Sequence, residues 1–212
     1  VVFSEALTPF APLPFVEKQG DSFVLVEEET AGEHHGKCFG RMTAFHGQMG
    51  MFTRAMSYIL SHGADGLRQV SEDAVLNANY ILWSLEDVLD APFGKSGPCM
   101  HEALFSDKGF GEGLSTLDLA KALIDEGYHP MTMYFPLVVH GAMLVEPTET
   151  ESKATLDQFI GALRSVAERA KAGDQSLKAA PVHAPRRRLD ETLAARKPVL
   201  VYRAPSQAEA AE

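Results

Sequence analysis

Apolar residues recur three and four apart in two early stretches of the chain. The first is Gly50 to Leu60, with Phe52, Met56, Ile59 and Leu60 on one side; the second runs through Leu67, Val70, Ala74, Ala78, Ile81, Leu85 and Val88. That period predicts two amphipathic helices, the first closed by Gly63 and the second ending before Pro92. Asn77 and Asn79 lie inside the second helix, where asparagine is a poor helix former, so each is expected to hydrogen-bond a neighbouring segment. Tyr80 and Trp83 are expected to pack between helix and sheet. Ser115 and Asp118 stand three apart ahead of Leu117, Ala120, Leu123 and Ile124, which predicts a capped helix stopped by Gly127. Thr148 and Glu151 precede Leu156, Phe159, Ile160 and Leu163 in the same way, so a last helix is expected from Thr150 to about Ala172.

Between these periodic stretches lie short runs rich in β-branched, aromatic and large apolar residues. Phe23–Val26, Cys99–Phe105, Thr132–Val139 and Ala142–Val145 predict strands, the last two buried and joined by a turn at His140-Gly141. Val1 to Phe15 contains Pro9, Pro12 and Pro14, which remove backbone donors, so coil or an edge segment is expected there rather than helix. Val199–Tyr202 is a possible late strand, and Ala204 to Glu212 is expected to be disordered. From Leu67 onward the order helix, strand, helix, strand, strand, helix gives an α/β class, a small sheet covered on one face by helices. The division expected is a segment 1–63 containing a loop at 32–50 and a helix, an α/β domain at 64–172, and an extended tail at 173–212.

Composition narrows the function. The 212 residues carry a net charge of −10, which argues against nonspecific nucleic-acid binding. No apolar run approaches a membrane span, and the first residues lack a basic region ahead of an apolar core, so a soluble cytoplasmic protein is expected. Cys38 and Cys99 lie far apart without a partner motif, so reduced thiols in a reducing compartment are expected. His34, His35, Cys38 and His46 invite a metal reading, but their spacing is poor and Gly32, Gly36 and Gly40 indicate a solvated or partner-covered loop. Arg186 to Arg188 is expected to face solvent or pair with Asp190 and Glu191. The start at Val1 rather than methionine implies a fragment or a processed product.

Candidate chemistry gathers in Gly127 to Ser152, GYHPMTMYFPLVVHGAMLVEPTETES. Glu146 ends a buried strand before the helix begins, where its side chain can project toward a neighbouring domain. Glu149 and Glu151 are simpler as the acids of a helix start. Tyr128-His129-Pro130 has two readings, a fixed turn entering a strand or part of a site wall. His101 and Glu102 are adjacent in an expected strand and so point to opposite faces, which prevents them from acting as one acid–base pair.

The pattern GYHPMT-x-x-FP, then a strand, then EPTETESK-x-x-LD-x-F resembles the C-terminal part of the glycine-cleavage P-protein, the pyridoxal-phosphate glycine decarboxylase. LTPF-x-P, GR-x-x-x-F-x-G, GADGL-x-x-VSE-x-AVLNANY and PCMHE upstream, with LKAAP and RRLDE downstream, extend the resemblance over nearly the whole chain. It is most similar to subunit 2 of the form split into two polypeptides. The resemblance implies the C-terminal (small) domain of the aspartate-aminotransferase-like fold of pyridoxal-phosphate-dependent transferases. It also implies a complete enzyme that releases carbon dioxide from glycine and transfers the aminomethyl group to the lipoyl arm of the H protein. The implied partners are the homologous P-protein subunit 1, in a hetero-oligomer, and the H protein.

In that family the cofactor lysine follows a histidine in a motif resembling His-x-Asn-Leu-His-Lys, and this chain has no such motif. Lys18, Lys37, Lys95 and the other lysines sit in expected loops or on polar helix faces without a glycine-rich phosphate cradle. Pyridoxal phosphate is therefore expected in the complete enzyme but not covalently bound by this chain, and the isolated chain is expected to be inactive. The loop GR-x-x-x-F-x-G, near the cofactor in the family, makes Arg41 and Gly47 cofactor-binding candidates; Gln48-Met49 stands where the family usually has Asn-Phe. His129, Thr132 and Glu146 are the catalytic candidates, and no metal is expected. Two other readings stay open: a non-catalytic interaction or assembly module of such a complex, and an enzyme of the same fold and cofactor acting on another amino acid.

Overall fold

The computed structural model describes residues 4–28, 30–32, 37, 38, 40–42, 47–202 and 204. It is a mixed α/β structure with two small sheets, divided into two compact units, Val1–Ala64 and Asp65–Glu212. In the first unit, β1 (Phe15–Gln19) and β2 (Ser22–Val26) form an antiparallel hairpin that pairs Phe15 with Val26 and Gln19 with Ser22. Gly20, at φ 61, makes the two-residue turn with Asp21, a backbone that glycine adopts without steric cost. β2 lies where the apolar run predicts it. β1 was not expected, because Val16 to Gln19 shows no apolar run, and Lys18 therefore lies on a strand rather than in a loop. The proline-rich start also holds one 3₁₀ turn, Thr8–Phe10, with Pro9 near its beginning where a missing N–H loses no helical bond. Leu13, Val26 and Ala31 form a small core with Phe15 and Cys38 against it.

Helix α1 spans Met49–Leu85 but has non-helical angles at Gly63 (φ 64, ψ −174), so it is two helices joined there, as the two periodic stretches predict. In the first, Met49, Met51, Phe52, Met56, Ile59 and Leu60 are exposed.

In the second unit, α1 buries Ala78, Ile81, Leu82 and Leu85. Successive residues turn by about 100° on a helix, which puts Trp83 off this stripe. Trp83 is 56% exposed, correcting the expected packing, while Tyr80 is half-buried with its hydroxyl donating to Asp157 at 2.5 Å. The sheet has the order β3 (Ala103–Phe105), β5 (Met143–Val145), β4 (Thr132–Met133), all neighbours antiparallel. Ala103, Phe105, Met143 and Val145 are buried in one core with the helices α2 (Thr116–Asp125) and α3 (Lys153–Lys171), which contribute Leu119, Leu123, Leu156, Leu163 and Val166. The order of elements from α1 to α3 agrees with the sequence pattern.

The boundaries differ where special backbone intervenes. Thr132–Val139 is strand only at its first two residues: Tyr134 has φ 58, Pro136 has no N–H, and Leu137 and Val138 are 87% and 84% exposed rather than buried. Cys99–Phe105 shortens to β3 because Asn79 takes both backbone groups of Cys99. The cap of α3 is Ser152, whose hydroxyl accepts from the Thr155 N–H at 3.2 Å, and not Thr148. For α2 the Ser115–Asp118 cap holds, with Asp118 accepting from both the N–H and the hydroxyl of Ser115 at 2.9 Å, and Gly127 (φ 86) ends the helix. Its buried side is Leu119, Ala120, Ala122 and Leu123, with Leu117 only half-buried.

The segment after α3 is packed rather than loose. Gln175–Ala179 makes a 3₁₀ turn that buries Leu177, and Asp125 accepts from the N–H groups of Val182 and His183, each at 2.7 Å. Arg188, expected in solvent or beside Asp190 and Glu191, instead pairs with Asp118 at 2.8 Å. A short α4 (Glu191–Arg196) follows, and Val199–Tyr202, without strand pairing, is exposed throughout. Apart from Ala204, the terminal stretch expected to be disordered lies outside the described residues.

Candidate active site

Three of the five candidate residues line one cleft of the second unit. Gly127 ends α2 and lets the Tyr128 N–H return to the Leu123 carbonyl at 3.0 Å, which directs Tyr128 to Thr132 along the sheet into β4. β4 pairs with β5, so Thr132 stands opposite Leu144, and β5 delivers Glu146 one residue past its end. Helix α3 closes the other side with Thr155, Gln158 and Phe159. The space between them is about 380 Å³ and is lined by His129, Thr132, Glu146 and Glu151 among apolar neighbours. Its base is firm: Tyr128 and Phe159 meet edge to face with centroids 5.4 Å apart.

The polar groups of the cleft differ in freedom. Glu151 is engaged, accepting from the Thr155 hydroxyl at 2.8 Å. Glu146 is 56% exposed, and its Oε1 lies 4.0 Å from His101 Nε2. His129 and Thr132 are exposed on this chain, so His129 is not the buried imidazole that a closed site would hold. The lining includes two carboxylates and neither lysine nor arginine, which suits a cation or a hydrogen-bond donor better than an anion.

Arg41 and Gly47 belong to the first unit. Arg41 pairs with Glu27 at 2.5 Å, and its neighbour Met42 donates its N–H to the Leu13 carbonyl at 2.7 Å. Gly47 has φ 119, where L side chains are strained, and a Cβ there would lie 2.7 Å from the exposed Phe52 ring, so a larger residue would have to displace that ring. His34, His35 and His46 lie outside the described residues, and among the described residues no group of three or more His, Cys, Asp or Glu side chains is placed to hold a metal ion. No helix among the described residues is long and apolar enough to cross a membrane. Burial pushes the Cys99 thiol up from its usual range, toward the unreactive form.

Sequence reasoning missed His101. Adjacency in an expected strand relates it only to Glu102, but β3 begins at Ala103, and just before its start the His101 Nε2 lies 4.0 Å from Glu146 Oε1, far along the chain.

Comparison with known proteins places the stretch that holds the cleft in a family. The family model described as "Glycine dehydrogenase, C-terminal domain" matches residues 70–185, a stretch that contains the whole cleft. A protein of Caulobacter vibrioides described as "Probable glycine dehydrogenase (decarboxylating) subunit 2" is 65% identical over 206 residues, covering 96% of this chain and 39% of the relative. This chain belongs to the glycine dehydrogenase C-terminal domain family. A second member, from Shouchella clausii, is 46% identical over 197 residues, covering 92% of this chain and 38% of that protein. The chain thus spans about two fifths of the length of the curated family members it matches. A crystal structure of glycine decarboxylase (P-protein) of the glycine cleavage system, in inhibitor-bound form, superposes with a TM-score of 0.59 over 76% of this chain and 37% of that one. At 22% identity it shows the shared fold.

Proposed function

We propose that this chain is the C-terminal part of the second subunit of a two-subunit glycine decarboxylase. In the complete enzyme carbon dioxide leaves glycine and the aminomethyl group passes to the lipoyl arm of the H protein. On this reading the fold is the small domain of the aspartate-aminotransferase-like class, with its α/β body at 64–172, preceded by the segment 1–63 and followed by the tail 173–212. The partner is the homologous first subunit. The observation that carries the reading is the cleft that gathers His129, Thr132 and Glu146.

In the complete enzyme pyridoxal phosphate supplies the electron sink. The cleft does not fit that cofactor's phosphate, because two carboxylates line it without an arginine or lysine. Arg41 and Gly47 remain the cofactor-side candidates, with the Arg41 Nη1 paired to Glu27. What the cleft residues do is bind and orient. The His129 ring and the Thr132 hydroxyl hydrogen-bond a small polar substrate, and Glu146 accepts from a donor or cationic group on it.

The test is His129→Asn in the complete enzyme. Glycine–bicarbonate exchange per folded enzyme is expected to fall about 10²-fold or more. The thermal midpoint should hardly move, because the ring is exposed. Unchanged exchange would remove His129 from the site and leave it as a turn residue.

A further inference from the structure

Glu146 stands at the lip of the cleft on a half-exposed side chain, and such a carboxylate samples several rotamers unless something holds it. Its neighbour His101 is carried on a segment fixed from both directions. Two residues before it, the Cys99 N–H donates to Asn79 at 2.9 Å and the Cys99 carbonyl accepts from Asn79 at 2.8 Å, so one buried side chain takes both backbone groups. Two residues after it, Ala103 opens β3 and pairs with Val145, the residue that precedes Glu146. The segment carrying Glu146 is fixed in the same manner, by that ladder on one side and on the other by Asn77, which donates to the Thr148 carbonyl at 2.9 Å. The two asparagines that a helix interior disfavours are thus spent on the two segments that meet at His101 and Glu146.

Resting on the function proposed above, we infer that His101 is a positioning residue for Glu146, steering its carboxylate over the cleft toward a donor group of the bound substrate. The separation of 4.0 Å is in ion-pair range and about an ångström beyond a hydrogen bond. A small rotation of either exposed side chain closes it, as polar contacts of a site tighten around a ligand. His101 itself does not line the cleft, so its effect on substrate passes through Glu146.

The experiment is a double-mutant cycle in the complete two-subunit enzyme, read as kcat/KM for glycine–bicarbonate exchange with the thermal midpoint alongside. Glu146→Gln is expected to lower kcat/KM about 10²-fold and His101→Ala about 10-fold, in line with the usual effects of a working polar group and of the partner that orients it. The double variant should be no worse than Glu146→Gln alone, because the two residues act as one unit. His101→Gln, which keeps an N–H donor, should recover most of the loss. Midpoints should stay put, since His101 is 52% exposed. Normal exchange in Glu146→Gln would take away both the site reading and this inference. Impaired Glu146→Gln beside a normal His101→Ala, losses that multiply, or a Gln variant no better than Ala would overturn His101 alone.

Discussion

Replacing Arg188 by alanine should destabilise the second unit far more than replacing its neighbours. The guanidinium reaches Asp118 through Nη2 at 2.8 Å, donates through Nε to the Ala180 carbonyl at 2.7 Å, and donates through Nη2 to the Leu177 carbonyl at 3.0 Å. Its partners are enclosed: Asp118 is 5% exposed, Ala180 5% and Leu177 1%. Truncation leaves an enclosed carboxylate with only its two Ser115 donors and deprives two carbonyls of a charged donor. Hydrogen bonds to charged groups contribute about 1.5–3 kcal/mol and breaking a buried pair costs about 3–5 kcal/mol. The arginine side chain is 30% exposed, so water replaces part of what is lost and a net cost of about 2–4 kcal/mol is expected. Arg187→Ala should cost less than about 0.5 kcal/mol, as exposed substitutions do. Urea titration monitored by circular dichroism measures both, and the Arg188 effect should appear as a lower midpoint at unchanged slope. If Arg188→Ala and Arg187→Ala denature at the same midpoint, the tail is not fastened to α2 through this pair.

Two further outcomes test the core and its acid response. Leu163 is fully buried on α3, so Leu163→Ala should cost about 2–5 kcal/mol in the same titration, and a loss under about 1 kcal/mol would place the helix elsewhere. The Asp174 carboxyl is held down at about 2 by hydrogen bonds from Ser176 and then from Arg169. A folded value below the unfolded one adds stability above the unfolded range and loses it as pH falls through the folded value. The melting gap between the native chain and Asp174→Asn should therefore be steady from pH 5 to 7 and close between about pH 4 and pH 2. A gap that persists below pH 2 would show that the ionised carboxylate is not its cause.

What was legible in the sequence is what depends on local period and local caps. Both parts of α1, the Ser115–Asp118 start and the Gly127 stop all follow from residues within a few positions of one another. The misses are tertiary. Arg188 looks like a surface cation until α2 offers Asp118, 70 positions earlier, and Trp83 looks like a core residue until the burial stripe is known to run through Ile81, Leu82 and Leu85. The expected asparagine bonds exist, because an uncompensated polar residue within a helix demands a partner, although its identity as Cys99 or Thr148 was not readable. The cleft was half legible: His129, Thr132 and Glu146 lie within one recognisable stretch, whereas His101 comes near Glu146 only in the folded chain.

The same tertiary logic accounts for the oddest backbone in the chain and links it to the cleft. Tyr134 has φ 58, unusual for a bulky side chain, directly after β4. Its N–H still continues the ladder to the Ala142 carbonyl at 2.8 Å, while its hydroxyl accepts from the Leu117 N–H at 3.3 Å, one of the donors that the first turn of α2 leaves without a helical partner. At the far end of the loop the buried Thr116 hydroxyl donates to the Gly141 carbonyl at 2.6 Å, and Asp107 accepts from the Thr116 N–H at 3.3 Å. Gly141 admits nothing larger, since a Cβ would lie 1.9 Å from the Asp107 carboxylate. Both ends of the 134–141 loop are thus tied to the start of one helix. The apolar tip carrying Leu137 and Val138 stands in solvent without freeing the strands beneath it. Thr132 is two residues from the first tie and Leu144 three from the second, and these two residues pair across the sheet and line the cleft. The left-handed tyrosine therefore serves the register that sets Thr132 opposite Leu144 beside Glu146, and its local cost is offset by the bond its hydroxyl accepts from Leu117 at the start of α2.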